Sequence, residues 1–203
     1  MKPNPSHPFS LRQTGVAWLV AAFLPLVVGE RAAAAEQILV LDPAATKISF
    51  TLGATLHTVD GSVPLSRGTL RFDPAGGAAS GEVVLDAQAA QTGNTSRDAK
   101  MHQDVLESER FPTIVFRADE LELLSRAETS ARVRLRGTLE LHGQSLPLVL
   151  PATLTEHGDR LEILSTFRVP YVEWGLRDPS NFLLRVNRFV DVTVSAEGRL
   201  GVP

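Results

Sequence analysis

The sequence predicts an all-β domain, an antiparallel barrel or sandwich with one short helix, which follows an N-terminal signal peptide. Apolar and polar residues alternate along many short segments, and this period of two is typical of half-buried strands. Turn sequences such as Asp60-Gly61 and His142-Gly143 separate these segments. One stretch, residues 95–106, instead spaces its apolar residues as a helix does. Many short strands with little helix indicate a sandwich or a barrel.

The first 35 residues have the order of a secretory signal peptide. Basic residues precede an apolar run over residues 16–28, and Ala33-Ala34-Ala35 provides the small residues of a cleavage site. The run is shorter than the roughly 18 apolar residues of a membrane-spanning helix, and Pro25 interrupts it. We therefore expect cleavage after Ala35 and export of residues 36–203 as one domain. A retained membrane helix is the alternative.

Composition restricts the classes of function. The chain has no cysteine, which excludes a lipoprotein anchor and disulfides, so its core must supply the stability. Residues 36–203 contain 17 basic and 22 acidic residues, a net charge of about −5. Such a surface does not indicate nucleic-acid binding.

The clearest predicted strand is residues 132–141, in which arginine, threonine and glutamate alternate with apolar residues. The charged positions cannot face lipid, which disfavours a membrane-spanning barrel at this strand. Similar alternation predicts strands at residues 47–52, 69–73, 82–86, 113–117, 120–123, 145–150, 161–167 and 190–194.

The predicted helix over residues 95–106 has start and stop signals. Thr95 and Asp98 are three residues apart, as in a capping box. The helix should end before Pro112, because the residue before a proline is disfavoured in helical conformation. We expect the helix to cover one end of a barrel.

Five short sequence motifs occur together in a characteristic order. They are residues 68–74, 92–101, 111–116, 136–143 and 190–192. With them the chain resembles the YceI-like family of exported, lipocalin-like proteins from about Leu41 to the C-terminus. The resemblance implies an eight-stranded antiparallel barrel with a helical insertion, whose apolar cavity holds a polyisoprenoid or isoprenoid-quinone-like amphiphile, and it favours the periplasm over full secretion. The chain departs from the family pattern at Glu109-Arg110-Phe111 and over residues 171–180.

Residues in the inward phase of the strands are candidates for the cavity wall, and two aromatic residues are candidates for its mouth. The wall candidates are Phe50, Leu52, Phe72, Phe116, Val133, Leu135, Leu139, Leu148, Ile163 and Phe167, with Tyr171 and Trp174 at the mouth. The alternative is a plain dry core, in which the two rings plug one end. Gly137 lies in the inward phase, where it either lets the barrel bend or leaves room for a ligand.

Polar residues near the helix start are candidates for binding a headgroup. Free backbone amides there favour negative charge, and the candidates at the helix start are Arg97, Asp98 and His102. Further candidates for the headgroup site or the mouth are His57, Met101 and Arg188. In the alternative, Asp98 caps the helix, Arg97 pairs with a neighbour and His102 is a packing residue. Arg188 is separated by an even number of residues from valines that are predicted to face inward, so its side chain should also face inward. It then either binds a phosphate or is turned towards water by a bulge.

Catalytic and metal-binding motifs are not recognisable in the sequence. The histidines have no metal-site spacing, and no G-x-S-x-G elbow or cysteine nucleophile is present, so we expect no catalytic residue, no metal and no cofactor other than a bound lipid. A hydrolase or lyase with His57 or His102 as base, and a ligand-free, stress-related structural module with a filled core, stay open. The expected partner is an amphiphilic lipid, without nucleic acid or stable membrane insertion after cleavage; a homodimer stays open.

Overall fold

Ten strands form one closed antiparallel sheet in the part of the chain that this computed structural model describes, residues 36–55, 57–180 and 185–201. The sheet runs in the order β1-β4-β5-β6-β7-β8-β9-β10, and β10 pairs with β1 to close it. The predicted signal peptide lies outside the described residues. The strands are β1 (Gln37–Leu41), β2 (Lys47–Gly53), β3 (Thr58–Ser62), β4 (Leu65–Phe72), β5 (Gly77–Asp86), β6 (Thr113–Arg126), β7 (Ser130–Leu141), β8 (Gln144–His157), β9 (Arg160–Val169) and β10 (Val190–Gly201).

The ten strands fill eight positions around the barrel, because two long strands are each divided in two. β1 and β2 pair with the same edge of β10, and a 3-10 turn at Pro43–Ala45 separates them. The carboxylate of Asp42 accepts a hydrogen bond from the N–H of Ala44 at 2.9 Å, which fixes the start of this turn. β4 pairs with β1 and β3 pairs with β2, so these two strands also follow each other along one position. The predicted eight-stranded antiparallel barrel is confirmed.

One end of the barrel, which we call the mouth, carries four connections. They are the β2–β3 turn, the helical insertion between β5 and β6, the β7–β8 hairpin, and a cap segment between β9 and β10, of which residues 170–180 and 185–189 are described. The cap segment reaches the β2–β3 turn, where the N–H of Asn187 donates to the carbonyl of Gly53 at 2.8 Å. None of the helices in the described ranges has the length and apolarity needed to cross a membrane.

The helical insertion is capped one residue earlier than the sequence predicts. The α-helix α1 spans Thr95–Lys100, and the side chain of Asn94 accepts from the N–H of Arg97 at 2.9 Å. The capping box expected between Thr95 and Asp98 is therefore wrong, because Asn94 precedes them and asparagine is a stronger N-cap than threonine. One π-helical stretch, Met101–Leu106, continues α1 and ends at Glu107 in the left-handed conformation, before Pro112 as predicted.

The outer face of β6 and β7 is charged, as the alternation predicts. Arg134 and Arg136 make ion pairs with Glu122 at 3.4 and 3.2 Å. Exposed pairs of this kind contribute less than about 1 kcal/mol each. Because side chains alternate along a strand, Leu135 between the two arginines and Val133 beside them face inward.

β8 and β9 are paired over only half of their length. Backbone pairing joins Ala152–His157 with Arg160–Ser165, nearer to the closed end of the barrel. Pro147 and Pro151 precede this paired stretch, and proline has no N–H with which to extend a ladder. The hydroxyl of Ser165 donates to the carbonyl of Pro151 at 2.6 Å and makes the last polar link between the two strands. Towards the mouth, side chains rather than backbone hydrogen bonds complete the wall.

Candidate ligand-binding cavity

The mouth-side part of the barrel encloses a cavity of about 720 Å³. Its wall comes from the inward-facing positions of the strands, as on β10, where Val190, Val192, Val194 and Ala196 line it at every second residue. This volume lies within the range of roughly 300–1,000 Å³ that is typical of small-molecule sites.

Several inward-facing side chains around the cavity are only half-buried, whereas those at the closed end are packed tightly. Phe50, Leu135 and Phe167 point into the lumen and stay half-buried, because other side chains do not cover them. Leu39 and Leu161, further from the mouth, are each only 2% exposed. The barrel interior therefore has a closed end with little free space and an unfilled lumen above it, so the filled core that the sequence left open is not what the structure has.

Glycines keep two phenylalanine rings flat against the wall. A Cβ added at Gly137 would lie 2.6 Å from Cζ of Phe116, and one added at Gly61 would lie 2.2 Å from Cζ of Phe50. Real Cβ atoms do not approach other atoms so closely, so each ring occupies the space that a side chain would need. Gly137 also faces a bulge in β6, where the register shifts between Ala118 and Glu120. The bulge agrees with the bending role expected for Gly137, whereas the space left by its missing side chain is occupied by the Phe116 ring and is not left for a ligand.

Most of the predicted wall residues line the cavity. The residues that do so are Phe50, Leu52, Phe116, Leu135, Leu139, Leu148, Ile163, Phe167 and Tyr171. Phe72 and Val133 do not, although they face inward as predicted, because they lie near the closed end and pack into the core there. Trp174 does not line the cavity either. It packs half-buried against the core while Leu176, two residues later, takes the interior position.

Tyr171 anchors the cap segment. Its hydroxyl donates to the carbonyl of Asn187 at 2.8 Å, and its side chain is buried. Burial raises the pKa of Tyr171 to about 12, and the negative charge of Asp178 adds to this. The ring thus ties the start of the cap segment to its end, and it forms part of the cavity wall at the mouth.

Arg97 and Asp98 hold the start of the helical insertion through Thr92. The guanidinium of Arg97 donates to the hydroxyl and the carbonyl of Thr92 at 2.7 and 2.9 Å. The carboxylate of Asp98 accepts from the hydroxyl and the N–H of Thr92 at 2.5 and 2.8 Å. The hydroxyl bond lowers the pKa of Asp98, helped by the backbone N–H and the charge of Arg97. Arg97 also lines the cavity, but Asp98 does not.

His102 braces the helical insertion and does not line the cavity. Its Nδ1 lies 2.9 Å from the hydroxyl of Ser108, and its Nε2 lies 3.0 Å from the carbonyl of Ala90. Because a carbonyl only accepts, Nε2 carries the proton and Nδ1 accepts from Ser108 in the neutral ring. This arrangement matches the packing alternative that the sequence left open.

The other predicted headgroup residues are divided between the mouth and the surface. Met101 and the exposed His57 line the mouth of the cavity. Arg188 is exposed and does not line the cavity, because β10 begins only at Val190 and its alternation does not extend back to residue 188. The bulge expected to turn Arg188 outward is thus replaced by a bend that precedes the strand.

The sequence does not predict two of the contacts at the mouth. Arg177 of the cap segment makes an ion pair with Asp104 of the helical insertion at 3.5 Å. Glu107, where the insertion ends, accepts from Nε2 of His142 at 3.0 Å on the β7–β8 hairpin. Both pairs join residues that are distant in sequence, so local patterns cannot reveal them. In the sequence, a role for Arg177 at the mouth is indicated only by the departure from the family pattern over residues 171–180.

The sequence matches the YceI-like domain over residues 39–199, nearly all of the described barrel. This chain belongs to the YceI-like family. A UPF0312 protein of Vibrio cholerae serotype O1 is 24% identical over 139 residues, which are 64% of this chain and 69% of that protein.

Solved structures of low sequence identity share the fold of this YceI-like chain. Burkholderia cenocepacia BcnA superposes with a TM-score of 0.65 at 15% identity, covering 77% of this chain and 98% of BcnA. A polyisoprenoid binding domain from Saccharophagus degradans gives a TM-score of 0.59 at 14% identity, covering 81% and 98%. Campylobacter jejuni YCEI gives 0.53 at 16% identity, covering 72% and 84%.

Proposed function

We propose that this chain is an exported carrier that holds a polyisoprenoid or isoprenoid-quinone-like amphiphile in its barrel. The single observation that carries the proposal is the apolar cavity of about 720 Å³ between a solid closed end and a polar mouth. The printed description of the Saccharophagus degradans domain as polyisoprenoid binding supports the same class of ligand.

The shape of the cavity fits a molecule with one apolar and one polar end. The charged residues that line it, among them Arg97, Lys100, Asp104, Arg177 and Asp178, come from the helical insertion and the cap segment at the mouth. The deeper wall, represented by Leu135, Ile163 and Ala196, is mainly apolar. A tail would therefore enter first, and the headgroup would stay among polar groups and water at the mouth.

Burial of the tail supplies enough free energy for useful binding. Each buried methylene contributes about 0.8 kcal/mol, so ten of them give about 8 kcal/mol before the costs of ordering. That gross value corresponds to a Kd of about 1 μM. The task of keeping an insoluble molecule out of water needs no catalytic group, and His102, one of the two candidate bases, is held by Ser108 and Ala90 instead.

Mass spectrometry of the protein as it is purified from its producing cells tests the proposal. We expect native spectra to show a bound molecule, and organic extracts to contain a long-chain isoprenoid. The matched control uses neighbours on β9, because Ile163 lines the cavity and Leu164 is 48% exposed on the outer face. Ile163→Trp should lose most of the bound lipid, whereas Leu164→Trp should keep it. Equal occupancy in both variants, or no lipid in any preparation, would contradict the proposal.

Export and cleavage are a separate part of the proposal. The basic residues, the apolar run and the Ala33-Ala34-Ala35 site support them. We expect the mature protein in the periplasmic fraction to begin at Glu36. Intact mass measurement of that fraction checks this, and a full-length chain in the membrane fraction would contradict it.

A further inference from the structure

The barrel wall lacks backbone pairing along one junction between neighbouring strands. β8 and β9 both lie wholly within the described residues, and their pairing stops at Ala152 and Ser165. Towards the mouth lie Gln144–Pro151 of β8 and Thr166–Val169 of β9, and we call the junction between these two stretches the seam. On their other sides the same stretches are paired with β7 and β10. The seam is therefore a local gap in an otherwise continuous wall.

Two prolines build the seam into the sequence. Pro147 and Pro151 lie where β8 is paired with β7 without interruption, so their ring nitrogens must face away from β7, towards β9. At these two positions β8 has no N–H to donate to β9. Residues 144–155 also carry no charge, so no ion pair can tie this edge of β8 to β9. A regular ladder therefore cannot close the seam.

One polar link and apolar packing hold the seam together. The hydroxyl of Ser165 donates to the carbonyl of Pro151 at 2.6 Å, at the lower end of the seam. On the outer face Arg168 turns away from β8 and pairs with Asp191 of β10 at 2.9 Å. The inner side of the seam is apolar, and the residues that line the cavity there are Leu148, Leu150, Phe167 and Val169. Separation of the two strands above Ser165 thus breaks no backbone hydrogen bond between them.

The cap segment over the mouth is held more firmly. The N–H of Asn187 donates to the carbonyl of Gly53 at 2.8 Å, and the N–H of Thr55 donates to the carbonyl of Arg185 at 2.9 Å. These bonds tie the cap segment to the β2–β3 turn. Moving the cap segment aside breaks them, and each broken bond adds to the barrier. A route along the barrel axis is therefore more costly to open than the seam.

The junction between β3 and β5 at the mouth is also tied by backbone hydrogen bonds. The N–H of Ser62 donates to the carbonyl of Gln91 at 2.8 Å, and the N–H of Gln91 donates back at 2.9 Å. The N–H of Asp86 donates to the carbonyl of Pro64 at 3.0 Å. Of these two junctions, the seam is the one that can open without loss of backbone bonds.

We propose that the seam is the route by which the ligand enters and leaves the barrel, opening above Ser165 while the cap segment stays in place. This proposal rests on the proposed carrier function. An opening in the wall lets a long tail move in sideways, so the tail need not thread through the covered mouth. The outer surface beside the seam suits this passage, because Val149 on β8 and Leu164 on β9 are 41% and 48% exposed. The seam extends up to the mouth, so the headgroup still comes to lie there.

Cross-links between introduced cysteines test the route. The chain has no cysteine, so the introduced thiols are the only ones. Val149→Cys with Thr166→Cys places one exposed thiol on each side of the seam, and a short reducible bis-maleimide joins them after folding. The matched control is Thr166→Cys with Thr193→Cys, because these exposed residues are register partners on β9 and β10, whose junction is already paired.

Exchange of a dansyl-labelled four-unit prenol, followed by stopped-flow fluorescence, gives the rate constants of binding and release. We expect the cross-link over the seam to lower both by at least about ten-fold and to change the Kd by less than about three-fold, because a blocked route raises the barrier equally in both directions. Reduction of the linker should restore both rates. The control cross-link should leave them within about two-fold of the uncross-linked protein.

Two further variants test the competing route and the polar link. A Cβ added at Gly53 would lie 3.3 Å from Cγ of Asn187, so Gly53→Cys with Asn187→Cys can form a disulfide that fixes the cap segment. We expect this disulfide to change the exchange rates by less than about two-fold. Ser165→Ala removes the bond to Pro151 and should raise both rate constants by about two- to ten-fold, the effect of one hydrogen bond.

The outcomes separate this proposal from the one it rests on. Unchanged exchange after cross-linking over the seam, or equal slowing by the cap disulfide and by the cross-link over the seam, would overturn the lateral route while leaving the carrier function intact. Failure of the unsubstituted protein to bind the prenol would overturn both.

Discussion

Gly137 is predicted to be the glycine whose replacement by alanine most directly damages the cavity wall. A Cβ there would lie 2.1 Å from the carbonyl oxygen of Arg117 and 2.6 Å from Cζ of Phe116. The first neighbour is backbone, so the strand itself must shift, and the ring must turn into the lumen. Overpacking of this kind costs about 1–3 kcal/mol, and contact with backbone places the expected loss near 3 kcal/mol.

Urea unfolding and thermal melting measure this loss. A loss of about 3 kcal/mol should lower the Tm by about 6–12 °C for a domain of this size. The matched control is Gly201→Ala on β10, where the nearest atom to an added Cβ is the carbonyl oxygen of Ile38 at 4.0 Å, so the free energy of unfolding should change by less than about 0.5 kcal/mol. Phe116→Leu combined with Gly137→Ala should recover part of the loss. Equal stabilities of Gly137→Ala and Gly201→Ala would refute the reasoning.

Three further predictions concern the mouth. Tyr171→Phe removes the hydrogen bond to the carbonyl of Asn187, and because Asn187 is exposed and water can replace the lost donor, the free energy of unfolding should fall by about 0.5–1.5 kcal/mol in urea titrations. Tyr171 is the one tyrosine in the sequence, so absorbance at 295 nm follows it alone and should give a pKa of about 12 in the folded protein and about 10 in urea. Because folding raises this pKa, the associated stability is complete below pH 10 and is lost as the pH rises towards 12, a loss that Tyr171→Phe should abolish. Arg177→Ala breaks the ion pair with Asp104 and should speed ligand release by less than about five-fold in stopped-flow exchange, because an exposed pair contributes at most about 1 kcal/mol. A larger effect that persists at high salt would contradict that explanation.

The alternation of residues was sufficient to predict the strands and the direction of their side chains, but not the depth of a side chain in the barrel. Phe72 and Phe116 occupy the same inward phase, yet Phe72 packs into the closed end of the barrel and Phe116 lines the cavity. Phase follows from the two-residue period of a strand, whereas depth follows from register and tilt, which depend on pairing with distant strands. The inward-facing residues were therefore predictable, but which of them line the cavity and which fill the closed end was not.

The mouth was the least predictable part of the structure, because its order comes from long-range contacts. His102 was one of two candidate bases, but its partners Ser108 and Ala90 hold it in a structural role. Trp174 was one of two residues expected at the mouth, but a tight turn brings Leu176 inside instead, with its N–H donating to the carbonyl of Tyr171 at 3.0 Å. Such contacts depend on the folded path of the chain, which carries no periodic signal in the sequence.

Calorimetric titration of delipidated protein with a four-unit prenol at several temperatures tests the central claim most directly, because burial of apolar surface on binding gives a negative heat-capacity change. We predict saturation at one prenol per barrel and a negative heat-capacity change, both lost in Ile163→Trp and kept in Leu164→Trp. Titrations without saturable heat at every temperature, or identical binding by the two variants, would contradict an apolar ligand site inside the barrel.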